Sequence, residues 1–321
     1  MLKIMLLATG ALAGIGPDHA RISAPASAVP VQTGSTAAGP GLSRAFPAVN
    51  GTMIRCPVLA PPSAERQAAQ FETRPLNLDE ISAAITRSAA QDDPARAAMR
   101  RQQADQRATD WPFLCRYRDS NATLMESTRR PTVIFMGDSI TEGWIQADQP
   151  FFDRHDYIDR GISGQSSSQM LARFYNDVVA LHPKVVHLMT GTNDIGGATG
   201  PVTEDESMYN VQAMIDLAQA NGIRVVLAGI PPMSRLLPRP DFNLRPAVIS
   251  LNRRLKAVAA ERGLTFVDYY TPLATADGAF DPRYANDGVH PTRVGYAIME
   301  PLAERAVQAE LARSAAKPPA R

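Results

Sequence analysis

The chain has 321 residues, 45% of them hydrophobic and 20% charged, enough apolar material for at least one full-sized core and too much for a globally disordered protein. Its 33 Lys and Arg against 32 Asp and Glu leave a formal charge of +1, so no broad basic field is available for a nucleic-acid backbone. Two cysteines exclude a disulfide-dense miniprotein and an all-cysteine zinc site.

At the start of the chain, Met1-Leu2-Lys3 gives a short positive end, Ile4 to Gly16 is mostly apolar, and Ala11-Leu12-Ala13 offers small residues at signal-peptidase spacing. The expectation is a signal peptide over residues 1–20, with a later cut near Ala26-Ser27-Ala28 as an alternative. The apolar run is well short of the roughly 20 residues that span a bilayer. A secreted or periplasmic protein without stable membrane insertion follows. Residues 21–107 read as a Pro/Ala-rich extension: eight prolines lie between Pro17 and Pro62, and Leu78 to Arg107 has the composition of one or two surface helices. In an oxidising compartment Cys56 and Cys115 could pair and pin this extension to the next domain; two separate buried thiols fit equally well.

From Pro131 the pattern becomes regular. Thr132–Met136, Val185–Met189, Arg224–Ile230 and Thr265–Tyr269 are short apolar runs of the kind that form strands buried on both faces, and Tyr157–Ile162 is expected to add a fifth strand. Helical patterns fill the gaps at Ser167–Leu181, Glu204–Asn221 and Pro246–Arg262, and a last one covers Arg293–Leu311. This alternation predicts an α/β fold over residues 108–312: a three-layer α/β/α sandwich with a five-stranded parallel sheet, followed by a flexible tail at 313–321. Working residues in such sheets gather beyond the carboxyl ends of the strands.

Four loops fall at that edge. The first carries Ser139, at a strand end and the start of a helical turn, where free N–H groups stabilise negative charge. The second carries Gly164, which permits close backbone approach. In the third, the Asn193 amide can donate to an oxyanion. In the fourth, Asp287 precedes His290 by three residues, close enough for a carboxylate to accept from one ring nitrogen while the other faces a serine. Each feature alone is commonly structural: a helix cap, a glycine turn, a turn Asn, a satisfied His. His19, His155, His182 and His187 take that plainer reading because none has a comparable carboxylate turn. Together the four loops supply the parts for acyl transfer.

These blocks, Gly137-Asp138-Ser139-Ile140, Gly164, Gly191-Thr192-Asn193-Asp194 and Asp287-Gly288-Val289-His290, occur in the order found in the SGNH hydrolases, the GDSL esterase and lipase family, which the chain resembles from about Pro131 to Leu311. Ile140 stands where that family more often has Leu, an apolar exchange that leaves the chemistry intact. The resemblance implies the flavodoxin-like SGNH fold, with Ser139 as nucleophile, His290 as general base and acid, and Asp287 orienting the imidazole. It implies an oxyanion hole from the Ser139 and Gly164 N–H groups and the Asn193 amide, and no metal or organic cofactor. Asp138 and Asp194 within these blocks are candidates for substrate contact.

The expected activity is hydrolysis of a small-molecule or carbohydrate ester, with acetyl on a carbohydrate as the leading substrate. A lipase or lysophospholipase is one alternative, and a non-catalytic carbohydrate-binding protein on the same fold is another. A nucleotide binder is disfavoured because no Gly-x-Gly-x-x-Gly or Walker segment follows the first strand. Arg235, Arg239 and Arg245 lie in a Pro-rich stretch after the fourth strand, either as a rim for an anionic group or as a solvated basic loop.

Overall fold

The computed structural model of the protein describes residues 42–48, 53–57, 71, 101, 104–106, 108–128, 130–234 and 243–316, all within one compact unit. The expected signal peptide, most of the extension, Arg235 and Arg239 lie outside the described residues.

Two short strands come first, β1 (Leu42–Pro47) and β2 (Met53–Pro57), paired antiparallel. Cys56 on β2 is disulfide-bonded to Cys115, with 5.4 Å between their Cα atoms, so the bridge is the alternative realised. Phe71, also from the extension, is buried in the main hydrophobic core, its ring 6.2 Å from that of Tyr296.

After helix α1 (Arg118–Glu126) the main sheet begins with β3 (Val133–Gly137), joined by β4 (Tyr157–Gly161), β5 (Val185–Leu188), β6 (Arg224–Ala228) and β7 (Thr265–Val267). All neighbouring strands pair parallel, in the order β4-β3-β5-β6-β7, with Val133 opposite both Tyr157 and Val185. Every residue of β3 and β5 is buried, as a sheet covered on both faces requires. Helix α4 (Ser167–Asp177) packs on α6 (Glu204–Ala220), which in turn meets α7 (Arg245–Glu261); α9 (Arg293–Ala316) packs along β5, β6 and β7 and touches α2 (Ser139–Ala147). The strand order is the doubly wound flavodoxin-like one, with its switch point between β3 and β5.

The boundaries differ from expectation in three informative places. Helix α4 ends at Asp177 because Val178 leaves the helical region (φ −127, ψ −64); a 3₁₀ turn, Val179–Leu181, takes up the rest of the predicted segment. Beyond Leu311, α9 continues to Ala316: Arg313 pairs with Glu310 and donates to Thr265 Oγ1 at 3.0 Å, while its carbonyl accepts from Arg224. A further helix, α3 (Gln149–His155), is capped by Asp148, whose carboxylate accepts from Phe151 N at 3.1 Å. On β3, the Phe135 ring meets Trp144, Phe151 and Phe152 edge-on at 5.3 to 6.2 Å, which fixes α2 and α3 to the strand that leads into Ser139. Among the described residues no helix is long and apolar enough to cross a membrane.

Candidate active site

The site is built at the carboxyl edge of β3. Asp138 follows the strand and serves as N-cap of α2: fully buried, its Oδ1 accepts from Ile140 N at 2.9 Å. Ser139 is thus the first helical residue, and its N–H has no partner within the helix. Gly137 leaves no room for a side chain, since a Cβ there would strike Thr141.

The fourth loop closes on the first. Asp287 Oδ1 accepts the backbone N–H groups of Val289 at 2.9 Å and His290 at 2.7 Å, and Gly288 takes the positive φ (77°) that this tight turn needs. With that oxygen fixed, Asp287 Oδ2 lies 2.6 Å from His290 Nδ1, and His290 Nε2 lies 2.8 Å from Ser139 Oγ. Two tethers hold the loop: Ser234 N donates to Gly288 O at 2.9 Å, and Tyr296 Oη, on α9, donates to Ile140 O on α2 at 2.8 Å.

Electrostatics favour a proton shuttle. Burial disfavours the imidazolium of His290, but the neighbouring Asp287 charge and hydrogen bond, with Asp138 adding to them, outweigh it and raise its pKa above the ordinary 6.5. Burial likewise opposes the charged form of Asp287, yet the His290 contacts and backbone donors hold it below the usual 3.8. Burial pushes Asp138 up to about 6 despite its bond from Ile140.

Asn193 lies at the start of α5 (Thr192–Gly196), behind Gly191 with its positive φ (121°). Its Nδ2 donates to Gln165 O at 3.0 Å and stands 3.4 Å from Asp138 Oδ2, so the amide joins the second loop to the first. Gly164 has φ +78, and a Cβ placed on it would meet nothing within 4 Å: the backbone here faces open space. The structure therefore brings Ser139, His290 and Asp287 into one hydrogen-bonded chain and places Asn193 against the Gly164 loop. Asp138 and Asp194 are instead buried inside the fold. Asp194 accepts Ser167 N at 2.9 Å and the Ser167 hydroxyl, fastening the start of α4. Arg245 is paired with Asp277 at 2.9 Å. His187 is a core residue, 2.9 Å from Tyr269 Oη, and burial pushes its pKa down to about 3.

Several residues that shape the site carried no local signal in the sequence. Arg173 is fully buried and donates to Gly137 O at 3.0 Å, Gln165 Oε1 at 2.5 Å and Asp177 Oδ2 at 2.9 Å, tying the first two loops together. Tyr296, whose hydroxyl reaches Ile140 O from α9, is likewise without a local signal. Among the described residues no cluster of three or more His, Cys, Asp or Glu could hold a metal ion.

The family model for GDSL-like lipases/acylhydrolases matches residues 135–298, which include Ser139, Gly164, Asn193, Asp287 and His290. The chain belongs to that family. Two solved structures agree with the GDSL-like assignment. A Bacteroides fragilis protein assigned as an acylhydrolase is 42% identical, with a TM-score of 0.61 over 63% of this chain and 99% of its own. A GDSL-like lipase from Bacteroides thetaiotaomicron is 39% identical, with a TM-score of 0.60 over 62% of this chain and 99% of its own. No curated protein sequence matches the chain. Membership in the GDSL-like family makes the protein an acylhydrolase by lineage, and its sheet order and helices are those of the SGNH fold.

Proposed function

We propose that the protein is an exported serine esterase that acts through an acyl-enzyme on short acyl groups, acetyl on a carbohydrate foremost. The observation that carries the reading is the unbroken chain from Asp287 Oδ2 through His290 to Ser139 Oγ, with contacts of 2.6 and 2.8 Å. A serine hydroxyl is a weak nucleophile until a neighbouring base removes its proton. In this reading His290 Nε2 takes that proton as Ser139 Oγ attacks the ester carbonyl, and Asp287 stabilises the imidazolium that results. The carbonyl oxygen becomes an oxyanion received by the N–H groups of Ser139 and Gly164 and by the Asn193 amide. Collapse expels the alcohol with the proton returned from His290, and water attacks the acyl-Ser139 by the same steps in reverse order.

Export is supported by the signal-like start of the chain and by the Cys56–Cys115 disulfide, a bond that persists in oxidising compartments. A short acyl group is favoured by the small or polar residues in the loops that carry the site, among them Ser163, Gly164, Asn193 and Gly288. The test is a series of p-nitrophenyl acetate, butyrate and octanoate with wild type and Ser139→Ala. Turnover of acetate that vanishes in the variant supports the reading; turnover retained in the variant rejects the serine mechanism, and a clear octanoate preference rejects the short-acyl assignment.

A further inference from the structure

Gly164 is exposed and a side chain on it would meet nothing within 4 Å, so the residues on either side set where its N–H points. Those neighbours lead to one place. On one side, Ser163 gives its N–H (2.8 Å) and its hydroxyl to Glu142 Oε2, one helical turn beyond Ser139 on α2. The other carboxylate oxygen of Glu142 is held by Arg116 at 2.8 Å. On the far side, Gln165 donates through Nε2 to Pro112 O at 3.0 Å while its Oε1 accepts from Arg173. At the base of the loop, Tyr117 Oη donates to Gly161 O. A side chain at Gly161 would strike the backbone of Thr141, Glu142 and Asp138, so this residue is wedged against the first turn of α2. Beyond the loop, Gln169 Nε2 donates to Trp111 O at 2.7 Å from inside the capping box of α4.

Of these supports, Trp111, Pro112, Arg116 and Tyr117 lie ahead of the family match at 135–298, while Glu142 and Arg173 lie within it. The segment 111–117 is itself braced. Asp110 accepts Leu114 N and Cys115 N, each at 2.8 Å, the Arg160 guanidinium lies 4.6 Å from the Tyr117 ring centre, and Cys115 is bonded to Cys56 on β2.

We propose that the disulfide-anchored segment 110–118 is a positioning element of the active site, holding the residues on both sides of Gly164 against the helix that starts at Ser139. The inference rests on the serine-esterase reading above and extends it to a part of the chain outside the family domain. An oxyanion donor acts only when preorganised, and small displacements of such groups are costly in rate. Arg116, Tyr117 and Glu142 touch no reacting atom and work through the loop.

The test uses the full chain with Tyr117→Phe, Glu142→Ala and Glu142→Gln, assayed for kcat and KM on p-nitrophenyl acetate well below each variant's Tm. Tyr117→Phe and Glu142→Ala should lower kcat about tenfold with KM changed by less than about twofold. Glu142→Gln, whose amide oxygen still accepts from Ser163 but whose NH2 cannot pair with Arg116, should recover only part of that loss. Folded variants with wild-type kcat, a loss confined to KM, or Glu142→Gln as fast as wild type would overturn the positioning role. Wild type that neither turns over the ester nor reacts with a fluorophosphonate would instead overturn the esterase reading, and this proposal with it.

Discussion

Ser139 and His290 are separated by 151 positions in the chain, yet His290 Nε2 stands 2.8 Å from Ser139 Oγ. What joins them is the sheet: β3 delivers the serine to the carboxyl edge, and the turn before α9 delivers the imidazole, with Tyr296 bonded to Ile140 O as the crosspiece.

That pairing sets a pH dependence. Only neutral imidazole can act as base, so kcat/KM should rise as His290 loses its proton, with a midpoint above the ordinary 6.5 because Asp287 and Asp138 hold the proton on. Asp138→Asn keeps a residue able to cap α2 but removes one negative charge. Its midpoint should move to lower pH in a pH–rate profile; an unmoved or higher midpoint would contradict the account.

Asn193→Ala removes the side-chain donor while leaving Ser139 and His290 untouched. Loss of one such donor costs roughly 10²–10³ in kcat elsewhere, and a fall of that order with little change in KM is expected here. Steady-state kinetics on p-nitrophenyl acetate measure it.

Asp159 gives a stability prediction. Burial pushes its carboxyl up to about 7, although Gly161 N donates to it. Because the folded state keeps a proton that the unfolded chain releases near pH 4, stability should decline as pH rises from about 4 to 7 and then level off. Asp159→Asn lacks that proton release. Relative to wild type it should gain on the order of a few kcal/mol between pH 4.5 and 8 in denaturant titrations, and a constant difference across that range would refute the assignment.

How much of this was legible beforehand depended on whether the signal was local. Val133 to Met136 reads as a buried strand because both faces of the sheet are covered, and the residues after each such strand are the ones that converge. Asp287 and His290 are three apart, so their pairing can be inferred from turn geometry. The bond from Gln165 to Pro112 O, or from Tyr117 to Gly161 O, joins a side chain to a distant carbonyl and leaves no periodic trace in the sequence. The same holds for Arg173, whose helix reads as amphipathic until the buried carbonyl of Gly137 is seen beside it. The break at Val178 was equally silent, since the apolar spacing of the predicted helix runs on through the 3₁₀ turn.

The disulfide should matter to stability by itself. Its cysteines are 59 positions apart, and chain-entropy reasoning puts the cost of Cys56→Ser with Cys115→Ser at about 4 kcal/mol. Thermal unfolding should show a clearly lowered Tm, whereas an unchanged Tm would mean that the bridge constrains nothing the fold does not already fix.

The central claim, a serine activated by its histidine, is tested most directly by intact-protein and peptide mass spectrometry after exposure to a fluorophosphonate. One covalent adduct on the Ser139 peptide, absent in Ser139→Ala and greatly slowed in His290→Ala, is the result expected. An adduct that persists in Ser139→Ala, or a wild type that never labels, would contradict it.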